Sequence, residues 1–195
     1  MTANRTTRIF ERTTTIPAVL LAAVCLTWVV VALIHPTTLT DDDIPMWMVV
    51  HIAQLILAPI VALGLLALLK GVEGPTAIVA RGAAVFWAAW FSAYDAVAGI
   101  ATGILIGGDA RAGGEYLFTH ELITGLGWVA PTMWLMAVIS AGLALRATRA
   151  PLVTSIALFV SALIFTHAGP PAAVGLAALA VALWTGLTAA DHSGN

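Results

Sequence analysis

Apolar residues run almost unbroken through six stretches of the chain, roughly 16–35, 45–69, 82–107, 117–145, 151–168 and 172–190. About 20 apolar residues carry a helix across a bilayer. In hydrocarbon every backbone polar group must find its partner inside the segment, so stretches of this kind are predicted to be helices rather than isolated strands. The punctuation between them is polar: HPTTLTDDDIP, KGVEGPTAIVAR, GGDARAGGEY, RATRAP and HAGPP. Pro45, Pro151 and Pro171 stand where a helix tolerates proline, at its first turn. The pattern therefore predicts an all-α polytopic membrane protein. Its six-transmembrane-helix bundle occupies 16–190, between an N-terminal segment 1–15 and a short tail 191–195.

Composition turns this prediction into an exclusion. Hydrophobic residues make up 61% of the 195 and charged residues only 9%, and the mean hydropathy is +1.00. A soluble domain of this length has too few charges here to cover its surface. The net charge of −2 matters less than where the charges fall. Arg5, Arg8, Arg12, Lys70, Arg81, Arg146 and Arg149 all fall on one side of the predicted topology, and Arg111 alone on the other. By the positive-inside rule both termini and the even-numbered loops are cytoplasmic, and the chain belongs to the cell membrane. Asp41, Asp42, Asp43, Asp109 and Glu115 then face outward. The first apolar stretch is too long for a signal-peptide core and lacks a small-x-small cleavage site, so it is expected to remain as a span. Cys25 has no second cysteine to pair with and reads as a small lipid- or core-facing residue. No phosphate loop or dinucleotide fingerprint is present, and the basic residues are scattered, so nucleic acid is not an expected partner.

With the topology fixed, the histidines acquire depths. His35 closes the first span on the outer side, His51 lies about 9 Å below the start of the second, His120 sits one turn into the fourth, and His167 closes the fifth. All four fall in or near the outer leaflet; His192 is alone in the tail. Ionisable groups inside a membrane usually face the bundle interior and have a function, whereas a histidine at a helix end is equally at home as an interfacial ring. Gln54, three residues after His51, shares its face, and Thr124 shares that of His120. Glu121 adjoins His120 but points about 100° away from it.

Asp95 carries the highest insertion cost in the chain. A carboxylate at the centre of a span costs about 2.5–3.5 kcal/mol on insertion scales, and no Lys or Arg lies at its depth. Gly99, Gly103 and Gly107 continue from it at a spacing of four. Such a small-residue stripe admits a closely packed helix, either within the bundle or from another copy or subunit in a homo-oligomer or larger complex. Pro59 and Pro131, mid-helix at a similar depth, predict freed carbonyls at Leu55 and Gly127 and a kinked centre. Trp47 and Tyr116 fit the outer aromatic belt and Trp184 the inner one. Trp87, Trp90 and Phe91 form an aromatic run in span three.

Three functions follow from these residue types. The first is a metal centre of Zn, Cu or Fe in the outer leaflet, held by His35, His51, His120 and His167. Asp95 or Glu121 would serve as base, in a metal-dependent enzyme or a redox protein. The second is a b-type cytochrome with His51 and His120 as axial ligands of haem b. The third is a proton- or cation-coupled carrier of small solutes that uses Asp95. The sequence lacks HExxH, so any metal ligands would have to converge from separate helices.

Overall fold

A computed structural model describes residues 4–36, 39–123, 126–148, 150–166 and 168–192. The described residues form helices joined by short turns, with no strand among them. α1 spans Asn4–Ile34. A single 3-10 turn, Asp41–Asp43, leads into α2, Ile44–Leu68. There Asp43 Oδ2 accepts from the Thr40 hydroxyl at 2.6 Å and from the Thr40 N–H at 3.2 Å, and Pro45 fixes the first turn of α2.

The connection to α3 turns at Gly71 and at Gly74, whose φ of +107° is open to glycine but strained for other residues. The Arg81 guanidinium donates to the carbonyls of Leu69 and Val72, which pins this turn to α3. α3 begins at Pro75, seven residues before the apolar pattern predicts, because Gly74-Pro75 starts a helix whatever the polarity of the next turn. It runs to Tyr94. The backbone then widens into a π-helical turn, Asp95–Ala101, and resumes as α4, Thr102–Gly107.

The stretch 117–145, expected as one span, is helical on both sides of residues 124–125, which lie outside the described set. α5 covers Arg111–Ile123 and α6 covers Leu126–Arg146. α5 begins at Arg111, six residues before the apolar pattern predicts, and Gly114 lets it pack closely against α4. A methyl group at 114 would stand 2.5 Å from Ile106 Cγ1 and 3.0 Å from the Thr102 carbonyl oxygen. α7, Leu152–Val160, continues as a 3-10 helix, Ser161–Thr166, and α8 covers Gly169–His192.

Five stretches are long and apolar enough to cross a membrane: Pro17–Ile34, Asp41–Leu68, Pro75–Gly107, Gly127–Arg146 and Gly169–Ala189. Leu152–Ile164 is a shorter apolar helix. Leu20, Ile56, Ile78, Ile139 and Val181 are among the large apolar side chains left exposed on these helices, as a lipid-facing surface requires. α1 lies along α8 and α3 along α6, with α2 between α1 and α3. Where they meet, Trp28, Trp87, Phe91 and Trp134 form one buried aromatic cluster, with Trp87 and Trp134 centroids 4.5 Å apart and Trp28 and Trp87 centroids 6.2 Å apart. α2 and α6 run unbroken through Pro59 and Pro131. The π-helical widening of the third span lies at Asp95, where there is no proline.

Candidate functional site

α2 and the π-turn build the site together. His51, Gln54 and Trp47 project from one face of α2 and are 4%, 0% and 5% exposed; Asp95 on the π-turn is 2% exposed. The His51 Nδ1–H donates to the Trp47 carbonyl oxygen at 2.8 Å. A carbonyl only accepts, so this bond assigns the proton to Nδ1 and leaves the Nε2 lone pair for another partner in the neutral ring. Nε2 lies 3.8 Å from Asp95 Oδ1. Asp95 Oδ2 and the nearby Ser92 Oγ are buried with no hydrogen-bond partner among the described residues.

Glycine makes this approach possible. A Cβ at position 99 would stand 2.1 Å from His51 Cδ2 and 2.4 Å from Cγ, so the imidazole occupies the volume a side chain would need. One turn further on, a Cβ at 103 would meet Met48 Sδ at 2.4 Å and Trp47 Cδ1 at 3.1 Å, and at 107 it would meet Ile44 Cγ2 at 3.2 Å. The Gly99/Gly103/Gly107 stripe is thus taken up by α2 of the same chain.

Trp47 does not belong to an interfacial belt. Its indole N–H donates to the Gly99 carbonyl oxygen at 2.8 Å, across 52 residues of sequence, and its ring lies 4.4 Å from that of His51. The Gly99 and Val97 carbonyls also accept from the Thr102 backbone N–H, and the Thr102 hydroxyl adds a bond to the Val97 carbonyl oxygen at 3.3 Å. His35, from the end of α1, completes the cluster: its centroid lies 4.9 Å from His51 and 5.4 Å from Trp47, and its Nδ1–H donates to the Pro36 carbonyl oxygen at 2.7 Å.

The structure thus brings together His35, His51 and Asp95 of the residues singled out from sequence. It does not bring His120 to them. His120 is exposed on α5, with its ring stacked on Tyr116 at 3.8 Å. Glu121 lies on α5, and its side chain is outside the described set, as are Thr124 and His167. Among the described residues, no three His, Cys, Asp or Glu side chains come together as a metal ion requires. Sequence reasoning missed the π-turn, the role of Trp47 and the contribution of Phe118. The available signal was the run of small residues after Asp95 in DAVAGIATG, which lowers the cost of widening a helix turn while giving a neighbour room to approach.

No protein-family model matches the chain, and no curated protein or solved structure matches it either.

Proposed function

We propose that the chain is a six-crossing membrane protein with both termini in the cytoplasm, and that its buried His51–Asp95 pair holds and exchanges the coupling proton of a small-solute carrier. The observation that carries this reading is the 3.8 Å approach of Nε2 to Oδ1, inside the bundle and on a distorted turn of a spanning helix.

The charge balance supports it. With one exchangeable proton the pair is electrically neutral whether the carboxyl or the imidazole carries it. Losing that proton leaves a buried negative charge, and gaining a second leaves a buried positive one. Either charge is costly in a low-dielectric interior unless a counter-ion enters or the site opens to water. Proton exchange at such a site is therefore tied to solute binding or to a change of shape, which is what coupling requires. A π-turn in a spanning helix suits this task, because it is a recurrent feature of functional sites.

The sixth crossing is supported by the 3-10 extension of α7. Nine α residues at 1.5 Å and six 3-10 residues at 2.0 Å reach about 25 Å, close to the roughly 30 Å hydrocarbon thickness. Lys70, Arg81 and Arg146 lie at the end of the bundle opposite α5, which supports an outward-facing α5. The metal and haem readings have less support, since no three-ligand group forms among the described residues and His120 stands away from His51.

Infrared difference spectroscopy of the reconstituted protein between acid and alkaline buffer tests the proton site. A titrating buried carboxyl band that is lost in Asp95→Asn and displaced in His51→Gln is the expected result. The absence of any Asp95 band at all pH values would overturn the reading. The carrier half is tested in liposomes holding a pH-sensitive dye: a solute that evokes proton movement must cease to do so in Asp95→Asn.

A further inference from the structure

The His51–Asp95 pair is sealed on both sides. Toward the end occupied by the loops before α3 and after α6, the Trp28–Trp87–Phe91–Trp134 cluster fills the bundle. Toward the α5 end, the cover is thinner and is built differently. Trp47 lies on His51, and Phe118 of α5 packs edge-on against Trp47 at 5.8 Å. Beside them a groove of about 480 Å³ opens between α2, α4 and the start of α5, lined by Asp41, Ile44, Ile106, Gly107, Gly108 and Arg111, with Pro45 at its edge. Arg111 crosses this groove to pair with Asp41 and also lies 3.6 Å from Glu115 on its own helix.

From Gly107 at the groove to Gly99 at the site is eight residues, about 12 Å along the helix. Along this seam Ile44, Met48 and Trp47 pack against glycines. To open it, these side chains have to leave the glycines they cover.

We propose that Trp47 is the gate of this seam, and that α5 holds it shut through Phe118 and through the Arg111–Asp41 pair. The proposal rests on the proton-site reading for its purpose, but its geometry stands apart from that reading. Trp47 is suited to the role by its two bonds. Its indole N–H holds the Gly99 carbonyl of the π-turn, and its own carbonyl holds His51 Nδ1. If α5 lifts, Phe118 leaves Trp47, the indole is free to turn, and the π-turn loses a bond that fixes it next to His51. One motion at the surface thereby opens the route and loosens the turn that carries Asp95. The Arg111–Asp41 pair is exposed, with side chains 43% and 81% accessible. Pairs of this kind contribute little to stability and weaken with salt, which fits a fastening that has to be released.

The test is hydrogen–deuterium exchange of peptides covering 95–102, followed by mass spectrometry on the full chain in nanodiscs. Asp41→Cys and Arg111→Cys are combined in a Cys25→Ala background and joined by a short bis-thiosulfonate linker. The linked protein should exchange its π-turn amides about five- to tenfold more slowly than the same protein unlinked, and Trp47→Phe about five- to tenfold faster than wild type, the factors that one buried hydrogen bond supplies. In Trp47→Phe the linker should give no protection. Phe118→Ala, which keeps Trp47 and both of its bonds, should raise exchange as well and carries the test if Trp47→Phe does not fold. Equal exchange with and without the linker, or wild-type exchange in Phe118→Ala, overturns the gate. Neither result depends on whether Asp95 titrates, which the infrared measurement decides separately.

Discussion

The imidazole of His51 rests on the bare Cα of Gly99: a methyl group there would lie 2.1 Å from Cδ2. The two residues are 48 positions apart in sequence, and the contact brings α2 and the π-turn close enough for Nε2 to address Asp95. Gly99→Ala therefore pushes the ring away from the acid. Overpacking of this kind costs about 1–3 kcal/mol, and unfolding in mixed micelles should show that loss. Gly82→Ala is the counterpart. Position 82 is inside α3 with nothing within 4 Å of a new Cβ, and Ala there should stabilise by about 0.5–1 kcal/mol.

A double-mutant cycle measures whether His51 and Asp95 act as a pair. Using His51→Gln and Asp95→Asn, the coupling energy should fall near 0.6–2 kcal/mol, roughly the range of buried polar pairs within membranes. Additive effects of the two substitutions would separate the residues functionally.

Trp134 ties α6 to the 3-10 segment after α7 through its indole N–H, which donates to the Ser161 carbonyl oxygen at 2.8 Å. Trp134→Phe keeps most of the ring and should cost about 1 kcal/mol. Trp134→Ala also empties the space beside Trp87 and should cost about 3–5 kcal/mol. Thermal denaturation of the two variants distinguishes the bond from the packing.

Topology is open to direct measurement because Cys25 is buried and Cys25→Ala gives a quiet background. An impermeant maleimide on intact cells should label Asp109→Cys and Ala168→Cys, and should label Glu73→Cys and Thr148→Cys only after permeabilisation. Labelling of both Thr148→Cys and Ala168→Cys from one side would remove the sixth crossing.

The class of fold and the apolar stretches were legible because hydrocarbon imposes its rule on composition and length, whatever the packing. Asp95 and His51 were legible for the same reason, since an ionisable group in such a stretch costs too much to be incidental. The glycine stripe was legible as a packing face, but its occupant was not: nothing in the spacing distinguishes α2 of the same chain from a second copy. The start of α5 at Arg111 was not legible, because Arg111, Gly113, Gly114 and Glu115 interrupt the apolar pattern that a hydropathy window follows. Pro59 and Pro131 drew attention as places of freed carbonyls, and α2 and α6 continue as helix through both. The widening at Asp95–Ala101 lies at a place without proline, where Trp47 of α2 adds a bond to the Gly99 carbonyl. Trp47 looked interfacial by depth alone. Its inward face depends on the partner carbonyl at Gly99, and a one-dimensional pattern carries no sign of that.

The 3-10 extension of α7 also sets a relationship with the lipid. A segment reaching about 25 Å falls about 5 Å short of an average hydrocarbon layer of about 30 Å, and mismatch costs fractions of a kcal/mol per ångström. If α7 makes the proposed sixth crossing, the leaflets beside it must thin, while those beside the 25-residue α2 need not. The protein should therefore favour short-chain bilayers, and acyl length becomes a dial on its behaviour.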